Sequence, residues 1–219
     1  MNAKKLLEKG LRETGIACTE GQIHSFMIFL SELKKWNRAC NLTSLKTDED
    51  IIVKHFLDSV LYLKAIPEDA VRLADVGAGA GFPGVPIKLV RPEMDITLIE
   101  SSAKKCAFLR HIIRSLKLSG VHVLTQRVED LGTEHVKSFD VMVSRAAFSI
   151  REFIKAACPY VKEDGILVLS KGPKVSEELD ELKGPNAQNT VREILKINLP
   201  VINAERNLVV LECKKTGIC

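Results

Sequence analysis

Aromatic side chains are scarce in this sequence. They make up 5% of the chain, with one tryptophan, two tyrosines and eight phenylalanines, so the core must lean on Leu, Ile, Val and Ala. No apolar run reaches the roughly 18 residues that cross a bilayer, which predicts no membrane partner. The opening segment MNAKKLLEKGLRE has no apolar stretch of the kind a secretory signal carries. Cys18, Cys40, Cys106, Cys158, Cys213 and Cys219 lie far apart, with no Cys-x-x-Cys and no Cys/His cluster, so no metal is expected. Cysteines scattered in this way read as small buried hydrophobes of a chain kept in a reducing compartment, which predicts a cytoplasmic location. A strong charge of one sign is also missing. The net charge is +4, and Lys and Arg balance Asp and Glu through Ala70, so the whole excess comes later. That excess is compatible with an anionic partner and equally with a solvated surface.

What is present suffices for one domain, or one domain with a small extension: 219 residues, 46% of them hydrophobic and 27% charged. Two textures divide the chain. Residues 1–70 read as a helical extension. Ile23, Phe26, Met27, Leu30 and Leu33 recur at helical spacing, and Thr19 with Gln22 forms a capping box ahead of them. Asn41–Ser44 interrupts the pattern, Thr47 or Asp48 caps a third helix, and Pro67 closes the block.

Residues 71–219 read as a second unit. Short apolar runs at 71–76, 95–100, 121–126, 139–144 and 165–170 alternate with helical stretches, most clearly Ser102–Leu118 with Ala103, Cys106, Ala107, Leu109, Ile113 and Leu116 apolar. Strands separated by helices imply βαβ units and a parallel sheet. Two last runs, VREILKINLP and ERNLVVLECK, sit close together and read as an antiparallel pair at the sheet edge. The fold class is therefore α/β, with a mostly parallel seven-stranded sheet.

The segment Asp75 to Gly84 carries the most chemistry. The first apolar strand runs directly into Gly77, Gly79, Gly81 and Gly84, and a helix follows with Pro86 in its first turn. This is where a doubly wound sheet holds a nucleotide cofactor. Asp75, at the strand end, suits loop N–H groups or a cationic ligand group. Glu100 ends the next strand, 23 residues after Gly77, where an acid accepts ribose hydroxyls. Gly79, Gly81 and Gly84 satisfy the G-x-G-x-x-G spacing of a dinucleotide site, which keeps a nicotinamide-dependent oxidoreductase open as an alternative. The additional Gly77 gives Asp-x-Gly-x-Gly-x-Gly, which resembles the first motif of class I S-adenosylmethionine-dependent methyltransferases, whose fold is Rossmann-like. Their cofactor has no phosphate, so the loop wraps an amino-acid tail and a ribose.

Further segments extend the resemblance: Lys35-Trp36-Asn37-Arg38 followed by Asn41-Leu42-Thr43-Ser44, His55-Phe56-Leu57-Asp58-Ser59, the tail Phe82-Pro83-Gly84-Val85-Pro86, Arg127-Val128-Glu129, and Ser144-Arg145-Ala146. Over nearly its full length the chain resembles the glucose-inhibited division protein B family, the bacterial 16S ribosomal RNA (guanine-N7) methyltransferases. The resemblance implies methyl transfer from S-adenosylmethionine to N7 of one guanine of small-subunit rRNA, free or in the 30S particle. It implies cofactor contacts at Gly77, Gly79, Phe82, Val128, Glu129 and Arg145, with Glu100 in the ribose role and Glu129 at the adenine amino group. A small-molecule or protein methyltransferase on the same fold remains the alternative, because a fold does not fix a substrate.

Guanine N7 has an exposed lone pair and no proton, so no catalytic base is expected, and the sequence shows no nucleophile–His–Asp constellation. His24, His55, His111, His122 and His135 read as packing or surface residues. Arg145 is expected beside the cofactor at the end of a central strand, with a structural ion pair to Asp75 or Asp140 as the alternative. Lys171, at the end of the fifth strand, is a candidate phosphate contact. The basic residues around Trp36, and Lys104, Lys105, Arg110, Arg114 and Lys117, read first as wet faces of amphipathic helices. A monomer is expected.

Overall fold

Local signals place the first helices. The computed structural model describes residues 2–145, 147–172, 175–180 and 190–213. Helix α1 (Ala3–Thr14) starts where the Asn2 side chain accepts from the Lys5 N–H, and it ends at Gly15 in the left-handed region. Helix α2 (Glu20–Cys40) has the expected Thr19–Gln22 capping box and stops at Asn41, φ 47°. It buries Ile23, Phe26, Phe29, Leu30 and Leu33, while Met27 is only half-buried because it lies at the edge of that face. Thr47 caps α3 (Asp48–Ile51), which widens into a π-helical stretch (Ile52–Leu57), tightens again as α4 (Asp58–Val60) and ends in a 3₁₀ turn (Leu61–Lys64).

The sheet has strands β1 (Arg72–Val76), β2 (Asp95–Ile99), β3 (Val121–Leu124), β4 (Phe139–Arg145), β5 (Val161–Lys171), β6 (Thr190–Leu199) and β7 (Ala204–Glu212). Their order is β3-β2-β1-β4-β5-β7-β6. The first five strands are parallel, and β7 runs antiparallel between β5 and β6. The final two strands thus form the expected antiparallel pair, with the later strand on the inside. The chain runs outward from β1 to β3 and then returns to β4 on the other side of β1. The order reverses between β1 and β4, and crevices at such switch points open at the carboxyl ends of the strands.

Helices α5 (Gly84–Val90), α6 (Ala103–Ser115), α7 (Ile150–Ala157) and α8 (Val175–Asp180) complete the described residues. Strand residues alternate between two cores, as the two-residue period of a strand requires. Leu73, Leu98, Val141, Val143, Val168 and Val210 pack with α5, α6 and the N-terminal helices. Ala74, Val76, Met142, Leu167 and Val209 pack with α7 on the other face. On α6 the buried face is Cys106, Phe108, Leu109 and Ile112, whereas Ala103 and Ala107 are exposed. Small alanines satisfy an apolar pattern without being needed in the core, and Phe108 fills the space.

The cysteines depart from expectation. Cys158, just past α7, forms a disulfide with Cys213, just past β7, with Cα atoms 5.6 Å apart. Cys106 is buried, Cys18 and Cys40 are half-buried, and Cys219 lies outside the described residues. Spacing along the chain did not expose the pair, because the sheet order brings β7 next to β5 and so to the end of α7.

Candidate active site

The loop after β1 is shaped by backbone demands. Gly77 and Gly79 hold φ of 73° and 59°, a region that side chains with a Cβ rarely adopt. Gly84 needs its small size for another reason. A Cβ there would lie 2.5 Å from Leu98 Cδ2 and 2.9 Å from Asp75 Oδ2. This close approach lets the Gly84 N–H donate to Asp75 Oδ2 at 2.7 Å, tying the far end of the loop to β1. The near end is tied to β2, where the Ile99 carbonyl accepts from the N–H groups of Gly77 at 2.9 Å and Ala78 at 3.1 Å. Asp75 is fully buried, and among the described residues its Oδ1 has no partner. Burial pushes its pKa up to about 7, against the opposing effects of the Gly84 N–H and the Arg145 charge.

Glu100 follows β2 and is also buried. Its Oε2 accepts from the Gly79 N–H at 2.9 Å and its Oε1 from the Ser102 N–H at 2.8 Å, with Lys105 Nζ 3.8 Å away. Each carboxylate oxygen has a second lone pair, so the acid can hold the loop and still accept from a ligand. It lines a cleft of about 210 Å³ together with Val76, Gly77, Ile99, Val128, Glu129 and Phe148. Val128 is buried and Glu129 exposed, both in a 3₁₀ turn (Val128–Asp130) after β3. Four of the expected site residues, Gly77, Glu100, Val128 and Glu129, therefore share one cleft at the carboxyl ends of β1 to β3. Gly79 joins it through its hydrogen bond to Glu100. The donor set suits a nucleoside: an acid beside a glycine turn for vicinal hydroxyls, an apolar side chain for a flat base, and a second acid beyond it for an amino group.

Phe82 and Arg145 form a neighbouring group. Phe82 is buried, stacked on Phe29 and on His55 with ring centroids 5.2 and 4.4 Å apart, and the Arg145 guanidinium lies 5.2 Å from its centroid. Arg145 donates from Nη1 to the Lys54 carbonyl at 3.0 Å and from Nη2 to His55 Nδ1 at 2.8 Å. Its ion-pair partner is Asp58, at 3.6 Å, rather than Asp75 or Asp140. Asp58 also accepts from Arg206 Nε at 2.8 Å. Asp140 is instead engaged at the other end of β4 with Lys162 and the N–H groups of Val71 and Arg72. Ala146 lies outside the described residues.

His55, expected as a packing or surface residue, instead bridges Arg145 and Thr43. Its Nε2 is 2.7 Å from Thr43 Oγ1. Burial, then the Arg145 charge, push its pKa down to about 3, so the ring is neutral at pH 7. The neutral ring accepts from Arg145 at Nδ1 and donates from Nε2 to Thr43. A signal was available, since His55 and Asp58 stand three apart in a helical segment and so share a face. Lys171 Nζ donates to the Phe148 carbonyl at 2.6 Å and pairs with Glu178 at 2.8 Å, which braces the segment after β4 against α8. Trp36 packs on Phe108 and His111. Among the described residues no group of three His, Cys, Asp or Glu side chains is placed to hold a metal, and no helix is long and apolar enough to cross a membrane.

Solved structures share the fold at 13–22% identity. A precorrin-6y C5,15-methyltransferase from Geobacter metallireducens aligns with TM-score 0.53 and 15% identity, covering 71% of this chain and 87% of that one. M. jannaschii TYW2, solved in complex with AdoMet, aligns with TM-score 0.53 and 13% identity over 72% of this chain and 76% of its own. Sequence relatives are much nearer. A ribosomal RNA small subunit methyltransferase G from Geobacter sp. (strain M21) is 39% identical over 214 residues, 96% of this chain and 97% of that protein. Its counterpart from Geotalea uraniireducens (strain Rf4) is 38% identical over 212 residues, 96% of each chain. Residues 22–209 match the family model GidB, rRNA small subunit methyltransferase G. A family model spanning most of the chain and relatives 38–39% identical over nearly all of it show that the chain belongs to the rRNA small subunit methyltransferase G family.

Proposed function

We propose that this chain transfers a methyl group from S-adenosylmethionine to N7 of one guanine in small-subunit rRNA, and that it does so in the cytoplasm as a monomer. The observation that carries the reading is the cleft in which Glu100, held by the Gly79 and Ser102 N–H groups, faces the Val128–Glu129 turn across Gly77. S-adenosylmethionine, bound there, supplies a methyl group already activated on a sulfonium. Glu100 would accept from the ribose hydroxyls, Val128 would pack on the adenine and Glu129 would accept from its amino group, with the amino-acid tail lying against the glycine turn. Phe82 acts from beneath, as the ring on which His55 and Arg145 rest. Arg145 is aimed by Lys54, His55 and Asp58, and its remaining N–H donors suit guanine O6.

No side chain needs to take a proton, because N7 carries none. The protein lowers the barrier by holding nucleophile, methyl and leaving sulfur in line and by excluding water. In a reducing cytoplasm Cys158 and Cys213 would stand as two neighbouring thiols, their sulfurs moved apart to van der Waals distance. The test is transfer of tritiated methyl from S-adenosylmethionine to rRNA from a strain lacking the modification, followed by mapping of the labelled base. The reading expects label at N7 of a single 16S guanine. Label at another atom, or transfer to a metabolite or peptide but not to rRNA, would overturn it.

A further inference from the structure

A second groove, of about 740 Å³, opens between the last turns of α2 and the loop that follows, lined by Lys34, Asn37, Arg38, Asn41, Thr43 and Lys46. No carboxylate lines it, and Leu45 is its one apolar residue. Lys34 is held by Asp48, but among the described residues neither Arg38 nor Lys46 makes an ion pair, and both are exposed. The walls are already fixed. Asn37 donates to the Thr43 carbonyl at 3.0 Å and accepts from the Thr43 N–H at 2.9 Å, and the Leu45 N–H donates to Thr43 Oγ1 at 3.1 Å. A ligand entering such a groove has little loop ordering to offset.

The groove also has a defined position relative to the cleft. Its wall residue Thr43 meets His55 at 2.7 Å, and His55 meets Arg145 at 2.8 Å, so one imidazole separates the groove from the carboxyl end of β4. Cations alternating with amides and hydroxyls, with no ring to stack a base and almost no apolar surface, match a phosphate–ribose backbone rather than exposed bases or an apolar peptide. We propose that this groove is the track for the RNA backbone next to the target guanine, with Arg38 and Lys46 each neutralising a phosphate and Asn41 meeting phosphate or 2′-hydroxyl oxygens. The inference rests on the RNA-methylating reading above. The Thr43–His55 contact then ties the seating of that strand to the position of Arg145.

The test compares the wild type with Arg38→Glu/Lys46→Glu and with Lys64→Glu/Lys155→Glu, which makes the same charge change at exposed lysines outside the groove. Arg38→Ala/Lys46→Ala serves as a second groove variant. Affinity for deproteinised small-subunit rRNA is measured across a salt series, beside affinity for 30S particles, S-adenosylmethionine affinity and thermal melting. The groove variants are expected to lose at least tenfold in rRNA affinity, and their log–log salt slope should shrink by about one to two. Cofactor affinity and melting should stay as in the wild type, and the control pair should keep the wild-type slope. Wild-type rRNA affinity and slope in the groove variants would overturn the proposal. So would a loss seen with 30S particles alone, which would assign the groove to a ribosomal protein. Failure of the wild type to methylate rRNA would remove the parent reading, whereas methylation by the wild type with an unaffected groove variant removes this inference alone.

Discussion

Glu100 shows how a single side chain joins fold to function. Its two oxygens close the glycine loop and start α6, and the residue lines the cleft. Glu100→Ala is expected to weaken S-adenosylmethionine binding about 10- to 100-fold, the cost of losing a charged acceptor. Calorimetry reads this directly, and unchanged affinity would remove the ribose role. Asp75 makes a different prediction. Its pKa stands at about 7 against 3.8 for an unburied carboxyl, so the folded state holds a proton that the unfolded chain has released. The resulting stabilisation is complete below about pH 4 and is lost as pH rises to about 7, on the order of 4 kcal/mol for a shift of this size. Asp75→Asn keeps an acceptor for the Gly84 N–H and does not titrate. Wild-type stability relative to Asp75→Asn, from urea midpoints, should therefore fall across that window, and parallel curves would contradict the assignment.

At the scale of elements, aromatic packing links the N-terminal helices to the cofactor loop. Phe29 of α2 stacks between Phe56 and Phe82, at 5.3 and 5.2 Å. Phe29→Ala should cost about 3–5 kcal/mol and loosen the loop through Phe82, readable as a lower melting temperature together with weaker cofactor binding. Tyr62 reaches the ends of two strands. Its buried hydroxyl donates to the Ser144 carbonyl at 2.7 Å and accepts from the half-buried Ser170 N–H at 3.1 Å. Tyr62→Phe strands both groups and should cost about 1–3 kcal/mol in urea unfolding, with wild-type stability as the contradicting result. These contacts were hidden in the sequence because they join residues 82 and 108 positions apart. The elements themselves were legible, since the Thr19–Gln22 box, the Thr47 cap and the apolar runs are local signals. His55 and the Cys158–Cys213 pair were not, because their partners come from other elements.

At the scale of the whole molecule, strand order decides where chemistry can occur. The parallel neighbours β1, β2 and β3 bring together the glycine loop, Glu100 and the Val128–Glu129 turn, and the reversal to β4 sets Arg145 beside them. The glycine spacing and the acids at strand ends pointed to this cleft. They did not reveal that Phe82 and Arg145 would form a separate layer with His55 and Asp58, since a residue's neighbours across helices leave no mark on its own spacing. The account stands or falls on what the cleft holds. The most direct measurement is a calorimetric titration of the wild-type chain with S-adenosylmethionine and, separately, with NAD. One equivalent of S-adenosylmethionine bound, with no heat from NAD, is the predicted result; heat from NAD with none from S-adenosylmethionine would contradict it.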